Sequence, residues 1–144
     1  MTKDFEELFT CLNARSVNAL IVGGYAVAFH AKPRFTKDID LLVEPTPDNA
    51  QRLLRALADF GFGAADLAVE DFTTPGRVVQ LGVAPDRVDL MTAIDGVSFA
   101  EAWHGRVSGR FGAVPVFYIG KAELVRNKHA TGRAQDLADV EALE

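Results

Sequence analysis

Two short runs decide how this chain is read: Val22-Gly-Gly-Tyr-Ala26, and then Thr36-Lys-Asp-Ile-Asp-Leu-Leu-Val43. Aspartate is disfavoured in strands, yet Asp38 and Asp40 stand inside an otherwise apolar run. Two residues apart on a strand, they project from one face, while Ile39, Leu41 and Val43 fill the other. Upstream, Asn18 to Val22 reads as a short buried strand running into Gly23-Gly24, and Tyr25 to Ala31 favours a helix closed before Pro33. Glycine permits close backbone approach, and a helix N-terminus offers free N–H groups suited to phosphate. Asp89 repeats the pattern, an acid between Val88 and Leu90 on a second predicted strand. If the two acid-bearing strands are neighbours, three carboxylates converge.

Converging carboxylates repel until something neutralises them. Either one takes a proton, or a divalent cation binds. Hard oxygen ligands suit Mg²⁺ or Mn²⁺, which in turn hold the oxygens of a nucleoside triphosphate, polarise its α-phosphate and lower the pKa of an attacking hydroxyl. This is the chemistry of phosphoryl and nucleotidyl transfer. A glycine pair alone is weak evidence. Thirteen residues separate Gly24 from Asp38, and with the Asp-x-Asp and the later acid the combination becomes specific.

Outward from this segment, the apolar periodicity predicts alternating elements. Phe5, Leu8, Phe9 and Leu12 recur at helical spacing, so an amphipathic helix is expected from about Asp4 to Ala14. Pro47 opens a helix whose stripe of Leu53, Leu54, Leu57 and Phe60 ends at Gly61. Arg77 to Val83 and Arg87 to Met91 read as two strands joined by turn residues Ala84-Pro85-Asp86. Phe99 to His104 reads as a short helix, Val114 to Ile119 as a strand, and Lys121 to Ala130 and Arg133 to Leu143 as two closing helices around Thr131-Gly132. The pattern predicts one α+β (α/β) domain over residues 1–144, a mixed sheet with helices packed mainly on one face.

Composition sets limits. At 144 residues, 49% hydrophobic and 24% charged, the chain suits one globular core. Its apolar runs are too short to span a bilayer, and its N-terminus carries acids where a signal peptide would be apolar. A cytoplasmic protein with no membrane association is expected. The net charge of −5 and the absence of a basic tract argue against non-specific nucleic-acid binding. A lone Cys11 makes no internal disulfide, and His30, His104 and His129 show no ligand spacing. Gly23-Gly24 also fails the Gly-x-Gly-x-x-Gly spacing of a dinucleotide fold. Asp-Ile-Asp lacks the flanking residues of haloacid-dehalogenase-type phosphatases.

Gly23, Gly24, Asp38, Asp40 and Asp89 together resemble the signature of the nucleotidyltransferase superfamily that includes DNA polymerase β. That signature is a hydrophobic residue, Gly and Gly/Ser, about ten residues, Asp-x-Asp/Glu, and a third acid on a later strand. The runs from Gly23 and from Asp38, with Gly82 to Thr92 and the lysines from Lys121 onward, are similar to small stand-alone bacterial members. These include AbiEii-type and other toxin–antitoxin nucleotidyltransferases and lincosamide-type antibiotic-modifying enzymes. The resemblance covers about Asn18 to Val140.

It implies a Mg²⁺- or Mn²⁺-dependent enzyme moving a nucleoside monophosphate from an NTP, such as ATP, to a hydroxyl on a small molecule, RNA or protein. Asp38, Asp40 and Asp89 would be the metal-binding and catalytic acids. Gly23 and Gly24 would cradle phosphates, and Lys121 or Lys128 would reach the triphosphate. An alternative reading is a non-catalytic partner of the same fold in a toxin–antitoxin pair, bound to a HEPN-type protein. A homodimer would supply a missing acceptor wall.

Other residues carry weaker signals. Lys121 and Lys128, seven apart, share a helix face with Leu124 and Val125, where lysines also snorkel along an apolar stripe. Lys37 and Arg34 adjoin the acids, as nucleotide contacts or local counter-charges. Arg87 alternates with Asp89 on one strand face, which suits an ion pair as well as a substrate contact. Arg133 and Asp136 read as a helix-surface pair.

Overall fold

The structure is a computed structural model that describes residues 2–31, 33, 38–62, 66–82 and 87–144. Arg34, Lys37 and the Ala84-Pro85-Asp86 turn lie outside the described residues. The chain opens with α1 (Thr2–Ala14), β1 (Ala19–Val22), α2 (Gly23–His30), β2 (Ile39–Val43) and α3 (Pro47–Leu57). After α3 come a π turn at Ala58–Phe62, broken at Gly61 (φ 119°), and a 3₁₀ turn at Val69–Phe72. Then follow β3 (Val78–Leu81), β4 (Val88–Met91), α4 (Phe99–His104), β5 (Val107–Phe111), β6 (Val114–Tyr118), α5 (Lys121–Thr131) and α6 (Ala134–Leu143).

The six strands form one mixed sheet in the order β3-β4-β2-β1-β6-β5. β1 runs antiparallel to β2, with Val22 opposite Asp40. β2 and β4 are parallel, with Asp40 directly opposite Asp89. The α+β class and the mixed sheet are as expected from the sequence.

The packing of the helices needs a correction: they cover both faces, not mainly one. Ile21, Ile39, Leu41, Val43 and Leu90 point to the side held by α1 and α3, where Phe5, Leu8, Leu53 and Leu57 are buried. Leu20, Val22 and Leu42 point the other way, onto Ala26 and Val27 of α2, Ala102 of α4, Leu124 of α5 and Leu143 of α6. Central strands that are apolar on both sides need cover on both sides. Asp40 and Asp89 are the polar interruptions on the α2/α5/α6 side.

Local chemistry fixes the element ends. The Thr46 hydroxyl caps α3 by accepting from Asn49 N (3.3 Å), with Pro47 at the first turn. Asn49 is fully buried, and its side chain satisfies Asn18 N, Asn18 O and Glu44 O, tying the start of β1 to the end of β2. Ser98 and Glu101 form a reciprocal capping box on α4. α5 ends on Gly132 in the left-handed region (φ 66°). That turn folds α6 back against α5.

Candidate functional site

Register brings the acids together. Asp40 lies mid-sheet on β2, facing Asp89 across the parallel ladder, and Asp38 stands just before the first residue of β2. Gly23 follows β1 at φ +67°, and a Cβ there would overlap Asp40 Oδ2. The turn from β1 into α2 thus lies against the Asp40 carboxyl, an approach open only to glycine. Val22, the N-cap residue of α2, offers no side-chain cap, and Gly23 and Gly24 form the first turn.

Asp40 is pushed up to about 6, first by burial, then by the neighbouring Asp89 charge, a hydrogen bond shared with Asp89 and the charge of Asp38; the Lys128 ammonium pulls the other way. Asp89 is buried. A guanidinium stands among these acids. Arg87 Nε donates to Asp89 Oδ1 (2.9 Å), one of its terminal nitrogens lies 3.3 Å from Asp89 Oδ2 and 3.3 Å from Asp38 Oδ2, and its backbone N–H donates to Asp38 Oδ1 (3.2 Å). Of the two readings open for Arg87, the ion pair is the one seen.

Of the three acids, Asp40 lines a cavity of about 440 Å³. Gly23, Gly24 and Asp40 form one side, Met91 and Ala93 to Asp95 the second, and residues of α5 and α6 the third. Asn127 donates to the Asp95 carbonyl (2.9 Å) and fixes the second wall on the third. Lys128 lines the cavity and is 6% exposed. Its ammonium sits 3.2 Å from Asp136 Oδ1 and 3.1 Å from Asp139 Oδ2, both acids buried. Asp136 also accepts from Arg133 Nε (2.7 Å), and that bond above all holds its carboxyl well below the usual range, with help from Thr131 and Lys128. Asp139 takes a further bond from Gln135 (2.9 Å).

The structure therefore gathers Gly23, Gly24, Asp38, Asp40, Asp89 and Lys128 at one place. Lys121 is not among them: it is the exposed first residue of α5 and does not line the cavity. His30 is a structural residue, its Nε2 2.6 Å from the Ile119 carbonyl oxygen. The expected Arg133–Asp136 pair is present, but Asp136 is buried rather than on the helix surface, because its carboxyl also faces the buried Lys128; Asp139 carries no signal in the sequence reading. On α6 the two aspartates face inward beside Val140 and Leu143, while Leu137 is 50% exposed. Hydrophobic periodicity hides such a face.

The donor set can be tested against a divalent cation. Among the described residues no group of three or more His, Cys, Asp or Glu side chains stands arranged to hold a metal ion. The oxygens of Asp38 and Asp89 are turned onto Arg87 instead. Chemistry and charge nevertheless fit. The ligands are hard carboxylate oxygens, and three acids against one guanidinium leave two negative charges uncompensated when all are ionised; burial first, then the charges of Asp89 and Asp38, raise the proton affinity of Asp40.

A glycine turn set against a strand-borne acid, with a second acid opposite on a parallel neighbour, on a mixed sheet between helices, defines a protein of the nucleotidyltransferase class. A family model matches residues 1–144, and the chain belongs to that family, DUF6036, described as a nucleotidyltransferase of unknown function. No curated protein matches the chain. Among the described residues, no helix is long and apolar enough to cross a membrane.

Proposed function

We propose that the protein transfers a nucleoside monophosphate from an NTP to a hydroxyl acceptor, with Mg²⁺ or Mn²⁺ held by Asp38, Asp40 and Asp89. The observation that carries this reading is the register of Asp40 against Asp89, beside Gly23 and at the edge of the cavity. Bound there, the ion would neutralise the acids and polarise the α-phosphate.

The chain's own residues supply the rest. Backbone N–H groups at Gly23 and Gly24, at the start of α2, suit the β- and γ-phosphates. Lys128, the buried cation lining the cavity beside Asp40, offsets triphosphate charge from a position fixed by Asp136 and Asp139. The acceptor hydroxyl oxygen attacks the α-phosphorus, the bridging P–O bond to pyrophosphate breaks, and the hydroxyl proton passes to Asp89. The two ends of the cavity, Asp40 with the glycines on one side and α5–α6 on the other, leave room for the nucleoside between them.

The test is transfer of label from α-phosphate-labelled NTP into acceptors of a cell extract, with calorimetric titration of each Mg·NTP alongside. Asp40→Asn and Asp89→Asn should each abolish transfer while keeping a cooperative melt. Full transfer by both variants refutes the mechanism.

A further inference from the structure

We propose that Arg87 is the resident counter-ion of the carboxylate cluster, and that a divalent cation binds only as this guanidinium lets go of Asp38 and Asp89. The inference rests on the metal-assisted reading above and concerns how that site is controlled.

All four carboxylate oxygens of Asp38 and Asp89 have a partner from one residue. Three are met by the guanidinium and the fourth by the Arg87 backbone N–H. Among the described residues the charged groups around the guanidinium are Asp89, Asp38 and Asp40, all acids, so the seat suits a cation. Each carboxylate oxygen keeps a second lone pair, so geometry alone does not forbid sharing. Charge does: a guanidinium and a divalent ion on the same carboxylates repel strongly at a few ångströms.

The backbone of Arg87 cannot move away, because its carbonyl accepts from Ile39 N (3.0 Å) at the head of the β2–β4 ladder. Its side chain can. It is 33% exposed, against 10% for Asp89, so an outward path to solvent is open. The same residue then has two positions to offer, on the acids before the ion arrives and at the rim afterwards. Metal affinity becomes a competition in which Arg87 sets the threshold.

The experiment titrates Mn²⁺ into metal-free wild type, Arg87→Gln, Arg87→Lys and Asp40→Asn, read by calorimetry and by the metal-induced rise in Tm. Removing a purely structural residue would weaken binding. Removing a competitor strengthens it. Arg87→Gln should bind Mn²⁺ at least about tenfold more tightly than wild type, with the larger rise in Tm. Arg87→Lys, which keeps the charge and loses the fork, should fall between them, and decides the matter by the same comparison if Arg87→Gln does not fold. Equal or weaker binding by the Arg87 variants overturns the competition while leaving the metal reading in place. No Mn²⁺ binding by wild type or by either Arg87 variant overturns both.

Discussion

Replacing Gly23 by alanine tests the contact on which the site is built. Two costs add. The residue sits at φ +67°, where a side chain costs about 1–2 kcal/mol. The new Cβ would also overlap Asp40 Oδ2 and lie 3.0 Å from Asp40 Cγ and 3.1 Å from Asp40 Cβ. Because the carboxyl carbon and Cβ are close as well, turning the carboxylate aside does not clear the space, and such overpacking costs roughly 1–3 kcal/mol. The sum, about 2–5 kcal/mol, is a large part of an ordinary domain's stability of about 5–15 kcal/mol.

Gly76 separates the two costs. It has a similar φ of +74° and, among the described residues, no heavy atom within 4 Å of an added Cβ, so Gly76→Ala should lose only the backbone part, about 1–2 kcal/mol. Urea unfolding followed by Trp103 fluorescence measures each variant. In an Asp40→Ala background, Gly23→Ala should recover at least about 1 kcal/mol of its cost, a coupling that a double-mutant cycle reads directly. If Gly23→Ala costs the same with and without the Asp40 carboxyl, the packing of the glycine turn on the acid is not what fixes this position.

Other outcomes follow from the same geometry. Asp40→Asn, measured in chelator at pH 8, should raise stability by about 1–2 kcal/mol, since it removes a charge disfavoured by burial and by Asp89 and Asp38; a loss in urea melts would contradict this. Lys128→Met should destabilise by about 3 kcal/mol or more, because Asp136 and Asp139 stay buried without their shared cation. Lys121→Ala, at an exposed helix start, should change stability by less than about 0.5 kcal/mol in the same melts. Asp136 has its folded pKa held below the ordinary 3.8, so its contribution is present above that pH and is lost as pH falls below it. The gap between wild type and Asp136→Asn should therefore be widest near neutrality and close in acid; a gap that is constant down to pH 2 would refute the assignment.

What the sequence made legible was the part governed by local pattern. Asp38 and Asp40 betrayed themselves because acids in an apolar strand contradict propensity, and Gly23-Gly24 because a strand ran into them. The strand β5 stayed hidden: Val-Ser-Gly-Arg-Phe has one glycine and two polar residues, and its half-buried alternation is visible only once β6 pairs with it. Helix cover on both faces was missed because runs of four or five apolar residues do not say which side each one serves. The difference between Lys121 and Lys128 was beyond helical spacing. It comes from α6, whose inward acids bury one lysine and leave the other in water.

The pairing of β2 with β4 also bears on how the chain assembles. Gly23, Asp38 and Asp40 all lie in the first 43 residues, and β1 with β2 makes an antiparallel pair of its own. Arg87 and Asp89 arrive together on β4, a strand of net charge zero once its flanking arginine is included. Without that strand Asp38 and Asp40 lack the Arg87 guanidinium that reaches Asp38 in the folded sheet. β4 thus delivers the last acid together with the guanidinium that pairs with it. Docking of β4 therefore adds an acid and a base together, and leaves the net charge of the acid cluster where Asp38 and Asp40 had set it.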